Sequence, residues 1–385
     1  MVNNVYDYLQ KSFKIYNNTI SSEDLKKDTI PFRLGILFLI LIFFFFPILF
    51  FIRRKQNKSL KSIIVIQSKN QLNISNSYDL NTFVLNQQFK IKRLFNKNIS
   101  LAALKTLNFI LQNKNFKNYW WKIFRTIDCF CEFKDILNNN KLKRVLLLND
   151  HTPHSLCIKY LSIDLNLEVA YLQHAPVSEN FPALNWDFSF LFSEDSKNLY
   201  SIKHKLDLNK ISIGGDPRFF YQNLPKKSYL RDVLICLSNI DNITKALDLA
   251  NSLQVQGLKV SIRMHPLDRR TIPKIYRLQE SKSFTDLCSS NYIIIGAPSA
   301  ILLEALYAKV KIISASKYLS KIQLSEKETY SVYDKIKCDL DSKELILNSI
   351  EKNENIVKID GLEYYIGTKK GFETQKTQIN SWLKC

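Results

Sequence analysis

Four of the five histidines, His151, His154, His174 and His265, fall at or just after short apolar runs that read as strands. Histidine titrates near neutrality, so it can serve as a general base or donate a hydrogen bond to a phosphate. Metal binding is the first alternative. However, no His-x-x-x-His occurs, and beside His151-Thr152-Pro153-His154 the nearby acid is Asp150 alone, so no metal site is expected. The strongest local signal is Arg263-Met264-His265-Pro266 together with Gly296-Ala297-Pro298-Ser299 and the run to Leu306. Each follows a buried strand. In the second, a loop opens a helix at Ser299, whose free N–H groups and dipole suit a phosphate. Gly296 allows the backbone to come close to a ligand. Ser299 either caps the helix or binds a phosphate oxygen. Glu304, five residues on, is placed to meet a ribose, or is an ordinary surface glutamate. His265 and Arg263 supply a donor and a positive charge.

The elements that must carry these residues alternate. Strands are expected at 62–67, 144–148, 168–173, 188–192 and 210–213, with helices at 99–111 and 119–137. After Gly214-Gly215-Asp216-Pro217-Arg218 and a polar stretch at 225–228, a second series begins. It has strands at 232–237, 258–263, 291–295 and 310–314, and helices at 242–256 and 299–308. Buried strands alternating with helices mean parallel α/β structure. Two such series imply two Rossmann-like domains, 61–215 and 231–385, with ligands at the carboxyl ends of the strands. Gly214, Gly215 and Arg218 mark the hinge.

Composition narrows the chemistry further. Only 8 glycines occur in 385 residues, and neither the Gly-x-Gly-x-x-Gly nor the P-loop pattern is present. The seven cysteines form no Cys-x-x-Cys pair and read as reduced, buried thiols of a reducing compartment. The net charge is +20, concentrated at 61–150, which hold 15 Lys/Arg against 5 Asp/Glu. Such a field calls for an anionic partner. No nucleic-acid motif accompanies it, so nucleic acid is not expected.

Residues 34–52 (LGILFLILIFFFFPILFFI) carry no charge. As a helix they reach about 28 Å, close to a bilayer core. A single span behind an N-terminal tail, 1–33, is expected, with a re-entrant hairpin kinked at Pro47 as the alternative. Arg53, Arg54, Lys55, Lys58 and Lys61 follow directly. They favour soluble domains on the cytoplasmic face of the inner membrane, beside anionic lipid. The aromatic and basic stretch 116–125 reads equally as a helix lying in the interface or as an ordinary domain helix with a buried Trp.

With these residues in place, a resemblance emerges. His265-Pro266 followed by Ser299 and Glu304-Ala305-Leu306 resembles the donor half of GT-B glycosyltransferases. It is similar to the HP-motif sialyltransferases and the CDP-glycerol glycerophosphotransferases of bacterial surface polysaccharides. Gln173-His174-Ala175, Pro182 and Gly215-Asp216-Pro217-Arg218 resemble the N-domain series of those families. The likeness covers roughly residues 140–315. It departs at Ala175 and Lys309, where glycines are usual, and at Gly296-Ala297-Pro298-Ser299, where the glycerophosphotransferases carry Asp-Tyr-Ser-Ser. The resemblance implies that His265 and Ser299 hold nucleotide phosphates and that Glu304 holds a sugar hydroxyl. It makes His174 the candidate general base on the acceptor, with Asp150 as the other candidate. The expected activity is transfer of a sugar or glycerophosphate from a nucleotide-activated donor to a glycan or lipid-linked acceptor, without a cofactor. The alternatives are a non-hydrolysing sugar-nucleotide epimerase and a silent scaffold of polysaccharide assembly.

Overall fold

The computed structural model describes residues 5–19 and 62–384. Within the second range it omits 67, 81–83, 87–98, 140–141, 178, 180, 222–223, 229, 266–267, 269, 279–282, 298, 321–330, 333–338, 356 and 358. The apolar run 34–52 lies outside the described residues. Among the described residues, no helix is long and apolar enough to cross a membrane.

Among the described residues, ten strands form two wholly parallel sheets. The first contains β1 (Ser62–Ile66), β2 (Val84–Asn86), β3 (Arg144–Leu147), β4 (Glu168–Leu172), β5 (Phe188–Leu191) and β6 (Ile211–Ile213), in the order β2-β1-β3-β4-β5-β6. The second contains β7 (Arg231–Cys236), β8 (Val260–Arg263), β9 (Ser290–Ile295) and β10 (Lys311–Ser314), in the order β10-β9-β7-β8. Side chains of a strand alternate between faces, and both faces of the first sheet are covered, as a parallel sheet requires. Ile63, Val65, Val145, Leu147, Val169 and Tyr171 pack into one core with α1 (Val5–Thr19), α3 (Ile99–Gln112), α4 (Trp120–Asn139) and α5 (Pro153–Asp164). Ile64, Ile66, Leu146, Leu148, Ala170 and Leu172 face the other way. They meet α2 (Lys69–Ser77) and the last helix, α14 (Lys369–Lys384). Between α5 and α14 the helices are α6 (Glu194–Ser201), α7 (Pro217–Phe220), α8 (Ile243–Val255), α9 (Ser283–Cys288), α10 (Ile301–Tyr307), α11 (Ser316–Leu319), α12 (Lys343–Glu351) and α13 (Glu363–Ile366).

Two features differ from the sequence reading, and a third decides between its alternatives. Residues 5–19, expected in a tail, form α1. Its Val5, Tyr8, Leu9, Phe13 and Tyr16 recur at helical spacing and are buried in the first core. The 116–125 stretch resolves as a domain helix. Trp120, Ile123 and Phe124 are buried there, and the Lys122 ammonium donates to the Tyr16 hydroxyl at 2.8 Å. Finally, α14 returns to the first sheet through Phe372, Ile379 and Leu383, so the chain crosses between domains twice. Cys129, Cys131, Cys157, Cys236 and Cys288 are buried and in no disulfide.

The two crossings pack glycine on glycine. The Gly367 backbone lies at φ +75, and a Cβ there would overlap the Gly214 and Phe192 carbonyl oxygens. Gly215 bridges to Gly367, and the Asp216 N–H donates to the Ile366 carbonyl at 2.8 Å. Asp216 then caps α7 through the Arg218 N–H and pairs with the Arg218 guanidinium at 2.9 Å. Gly214, Gly215 and Arg218 thus form the first crossing, and Gly367 belongs to the second.

Candidate active site at the carboxyl edges of the two sheets

Strand order reverses between β1 and β3 in the first sheet and between β7 and β9 in the second. In such sheets the crevice outside the strand ends at that point is where ligands bind. Asp150 stands at the first crevice and Asp241 at the second.

Asn149 to Pro153 form the expected loop and cap. The Asn149 side-chain oxygen accepts from the His151 and Thr152 N–H groups at 3.1 and 2.8 Å. Thr152 caps α5, with Pro153 in its first turn. This turn aims Asp150 inward, where it is 1% exposed. One carboxylate oxygen lies 2.7 Å from His151 Nδ1 and the other accepts from the Tyr200 hydroxyl at 2.5 Å. Burial acts to raise the Asp150 carboxyl. The His151 hydrogen bond and charge, Tyr200 and His174 outweigh it, leaving the group below its ordinary value. A charged Asp150 fixes the Nδ1–H tautomer of His151 and leaves Nε2 as a base. Phe181 packs on the imidazole, ring centres 4.9 Å apart.

His174 lies close enough to feel Asp150, His151 and Arg218. Its carbonyl accepts from Asn70 at 2.8 Å, while Nδ1 is buried without a hydrogen-bond partner. Burial is the main cause that pulls its pKa down to about 4. The preceding Gln173 is a staple. It donates to the Ala175 carbonyl and the Ser196 hydroxyl, and accepts from the Phe192 N–H. His154 is not part of this group: burial, Arg125 and Lys122 push its pKa down to about 3.

Beside Asp150 opens a cavity of about 370 Å³, walled by Ile15, Tyr160, Phe181 and Trp186 and rimmed by Lys159 and Lys203. The Lys159 ammonium sits 4.4 Å over the Trp186 ring. Burial lowers its pKa to about 8 against the pull of Asp187. Apolar rings with a few cations suit a sugar bearing an anionic group.

The second crevice is built differently. Asp241 is fully buried, and its carboxylate accepts from the Ser238 N–H at 2.6 Å and the Ala297 N–H at 2.8 Å. A Cβ at Gly296 would overlap this carboxylate. The close approach that Gly296 permits is therefore to Asp241, where the sequence reading placed a ligand. Nor does Ser299 begin a long helix: α10 starts at Ile301, is seven residues long and has Ala300 at its cap. Burial raises the Asp241 carboxyl, opposed by Ser238, Ala297 and Arg270. The Arg270 guanidinium reaches the Asp241 and Ser238 carbonyls and pairs with Asp268, whose N–H donates to the His265 carbonyl. That braces the loop carrying His265, which is exposed; Pro266 lies outside the described residues.

Glu304 lies on α10, part-buried. Burial raises its carboxyl, while Arg218 and Arg263 act to lower it. Arg218 is also felt by His174. Hydrogen bonds thus join Asp150 to His151 and Tyr200, and His174 lies within electrostatic reach of Asp150 and Arg218. His151 was visible as a histidine after a strand, but its pairing with Asp150 was not. Among the described residues, no group of three or more His, Cys, Asp or Glu could hold a metal ion.

No protein-family model matches the chain, and no curated protein does. Solved structures do. A UDP-GlcNAc 2-epimerase from Methanocaldococcus jannaschii matches at TM-score 0.50 and 13% identity, over 84% of this chain and 100% of its own. The UDP-GlcNAc 2-epimerase from Neisseria meningitidis matches at TM-score 0.51 and 12% identity, over 85% and 100%. A glycosyltransferase from Rickettsia africae matches at TM-score 0.45 and 12% identity, over 85% and 98%. The likeness to the two epimerases shows the fold: two Rossmann-like domains facing a cleft, the GT-B arrangement.

Proposed function

We propose that the protein transfers a sugar from a nucleotide-activated donor to a hydroxyl acceptor, with His151 as the base. The observation that carries this reading is the Asp150–His151 pair, a buried charged carboxylate 2.7 Å from Nδ1, at the edge of an aromatic and basic cavity. The acceptor hydroxyl gives its proton to His151 Nε2 as its oxygen bonds to the anomeric carbon. The nucleotide leaves with the electron pair of the broken bond. Asp150 stabilises the imidazolium that forms. Arg263 and His265 supply positive charge and a donor to the leaving phosphates, Glu304 receives a sugar hydroxyl, and Ser299 lies at the same edge. A glycan or lipid-linked acceptor with an anionic group fits the cavity. Placement at the cytoplasmic face of the inner membrane belongs to the same proposal and rests on the basic residues after the apolar run.

Calorimetry of the purified protein with CMP, CDP, UDP and UDP-GlcNAc tests the donor half. Binding of at least one is expected, weakened by His265→Ala; binding of none overturns the reading. An epimerase acting on the donor alone is the second reading. It is favoured by a titratable group in each domain, His151 in the first and the part-buried Glu304 in the second, as proton removal and return at one sugar require. Product analysis separates the two: transfer consumes donor only with an acceptor, whereas epimerisation needs none.

A further inference from the structure

The cavity beside Asp150 holds a cation that is drawn out of water without a counter-ion. Helix α5 presents Leu156, Lys159 and Tyr160 to this cavity, at the spacing of one helical face. The Lys159 ammonium sits 4.4 Å from the centre of the Trp186 ring, and burial takes its pKa down to about 8. Asp187 is the acid that pulls the other way, but one oxygen of its carboxylate is engaged by the Val169 N–H at 2.7 Å. Among the described residues, no carboxylate and no hydrogen-bond acceptor touches the Lys159 ammonium. Lysine is seldom buried without such a partner, because its desolvation is costly.

Trp186 supplies a second unfilled donor. It is 5% exposed, stacks on Tyr171 with ring centres 5.8 Å apart, and lines the same cavity. Its indole N–H is buried and has no hydrogen-bond partner. A buried donor without an acceptor costs stability that a ligand's oxygen would restore. Two such donors at one wall, one of them charged, call for an anion. Tyr160 and Phe181 add rings of the kind that pack on the C–H faces of a sugar. The charged Asp150 lies on the same cavity. A phosphate monoester, with a charge of about −2 at neutral pH, would be repelled by it more strongly than a singly charged carboxylate.

We propose that Lys159 and Trp186 select an acceptor sugar that carries a carboxylate. That the sugar is an acceptor rests on the transferase reading above; that it binds does not. The test titrates the full chain with the methyl glycosides of glucuronate and galacturonate, with methyl glucoside and methyl galactoside, and with glucose 6-phosphate, followed by ligand-observed NMR. At least one sugar acid should bind about 10-fold or more tightly than its neutral counterpart, and more tightly than glucose 6-phosphate. Lys159→Gln and Lys159→Met should both abolish that preference, and Lys159→Arg should keep it. The Met variant preserves the packing of the stem on Trp186, so the test survives a Gln variant that fails to fold. Equal binding of acids and neutral sugars, binding of none, a preference for the phosphate, or a preference that outlives the Lys159 charge overturns the proposal. Nucleotide binding, measured separately, tells this failure from that of the transferase reading. Sugar acids that bind while no nucleotide does would leave Lys159 assigned and remove the transfer.

Discussion

The two domains each place a buried aspartate at the point where strand order reverses, and they use it in opposite ways. Asp150 is bound by side chains that can titrate or donate, His151 and Tyr200, and these hold its carboxyl low. Asp241 is bound by backbone N–H groups of its own loop and of the loop after β9, and burial raises its carboxyl. One carboxylate orients a histidine. The other ties two loops together. A buried acid at a ligand crevice is therefore not by itself a sign of chemistry; its partners decide.

The comparison can be broken in several places. The largest effect is expected at the first crevice. Asp150→Asn or His151→Ala should lower turnover about 10²–10⁴-fold while leaving donor affinity nearly unchanged. Equal activity in either variant, measured by nucleotide release, would remove the pair from the reaction. At the second crevice the effect should appear in stability. Asp241→Ala leaves the buried Ala297 N–H and the part-buried Ser238 N–H without an acceptor and should cost about 2–4 kcal/mol. Urea unfolding reads this directly, and a midpoint within error of wild type would show that the loops do not need the carboxylate. Arg263→Ala should weaken donor binding about 10-fold or more, the scale of a lost charged hydrogen bond, measurable by calorimetry.

The smallest effect is a pH slope. His174 and His154 have pKa values pulled down to about 4 and about 3, against 6.5 when unfolded. The unfolded chain then binds more protons from about pH 6.5 downward, so stability falls as pH drops from 6.5 toward 4. His154→Gln should flatten that slope in urea midpoints taken between pH 7 and pH 4. An unchanged slope would mean that His154 titrates normally in the fold.

Much of the scaffold was legible because parallel strands are short continuous apolar runs, and SIIVIQ, RVLLL and DVLICL fall where β1, β3 and β7 lie. The cap at Thr152 was legible too, since Asn149 and Pro153 act locally. The helix α1 carried its signal in the spacing of Tyr8, Leu9, Phe13 and Tyr16. It was overlooked because a long apolar run separates it from the domain it completes. Asp241 had no local signal, because one of its partners, Ala297, is 56 residues away. The same holds for the choice between His151 and His174. Both follow strands, and only their placement against Asp150 and the buried, unpartnered Nδ1 of His174 distinguish them.

The central claim is that His151, oriented by Asp150, is the base of a nucleotide-sugar reaction. Its most direct test compares kcat for nucleotide release in wild type, His151→Ala and His174→Ala, with one donor that calorimetry has shown to bind. A loss of about 10²–10⁴-fold in His151→Ala at unchanged donor affinity, with a smaller loss in His174→Ala, is the predicted result. Full activity in His151→Ala, or a loss confined to His174→Ala, would contradict it.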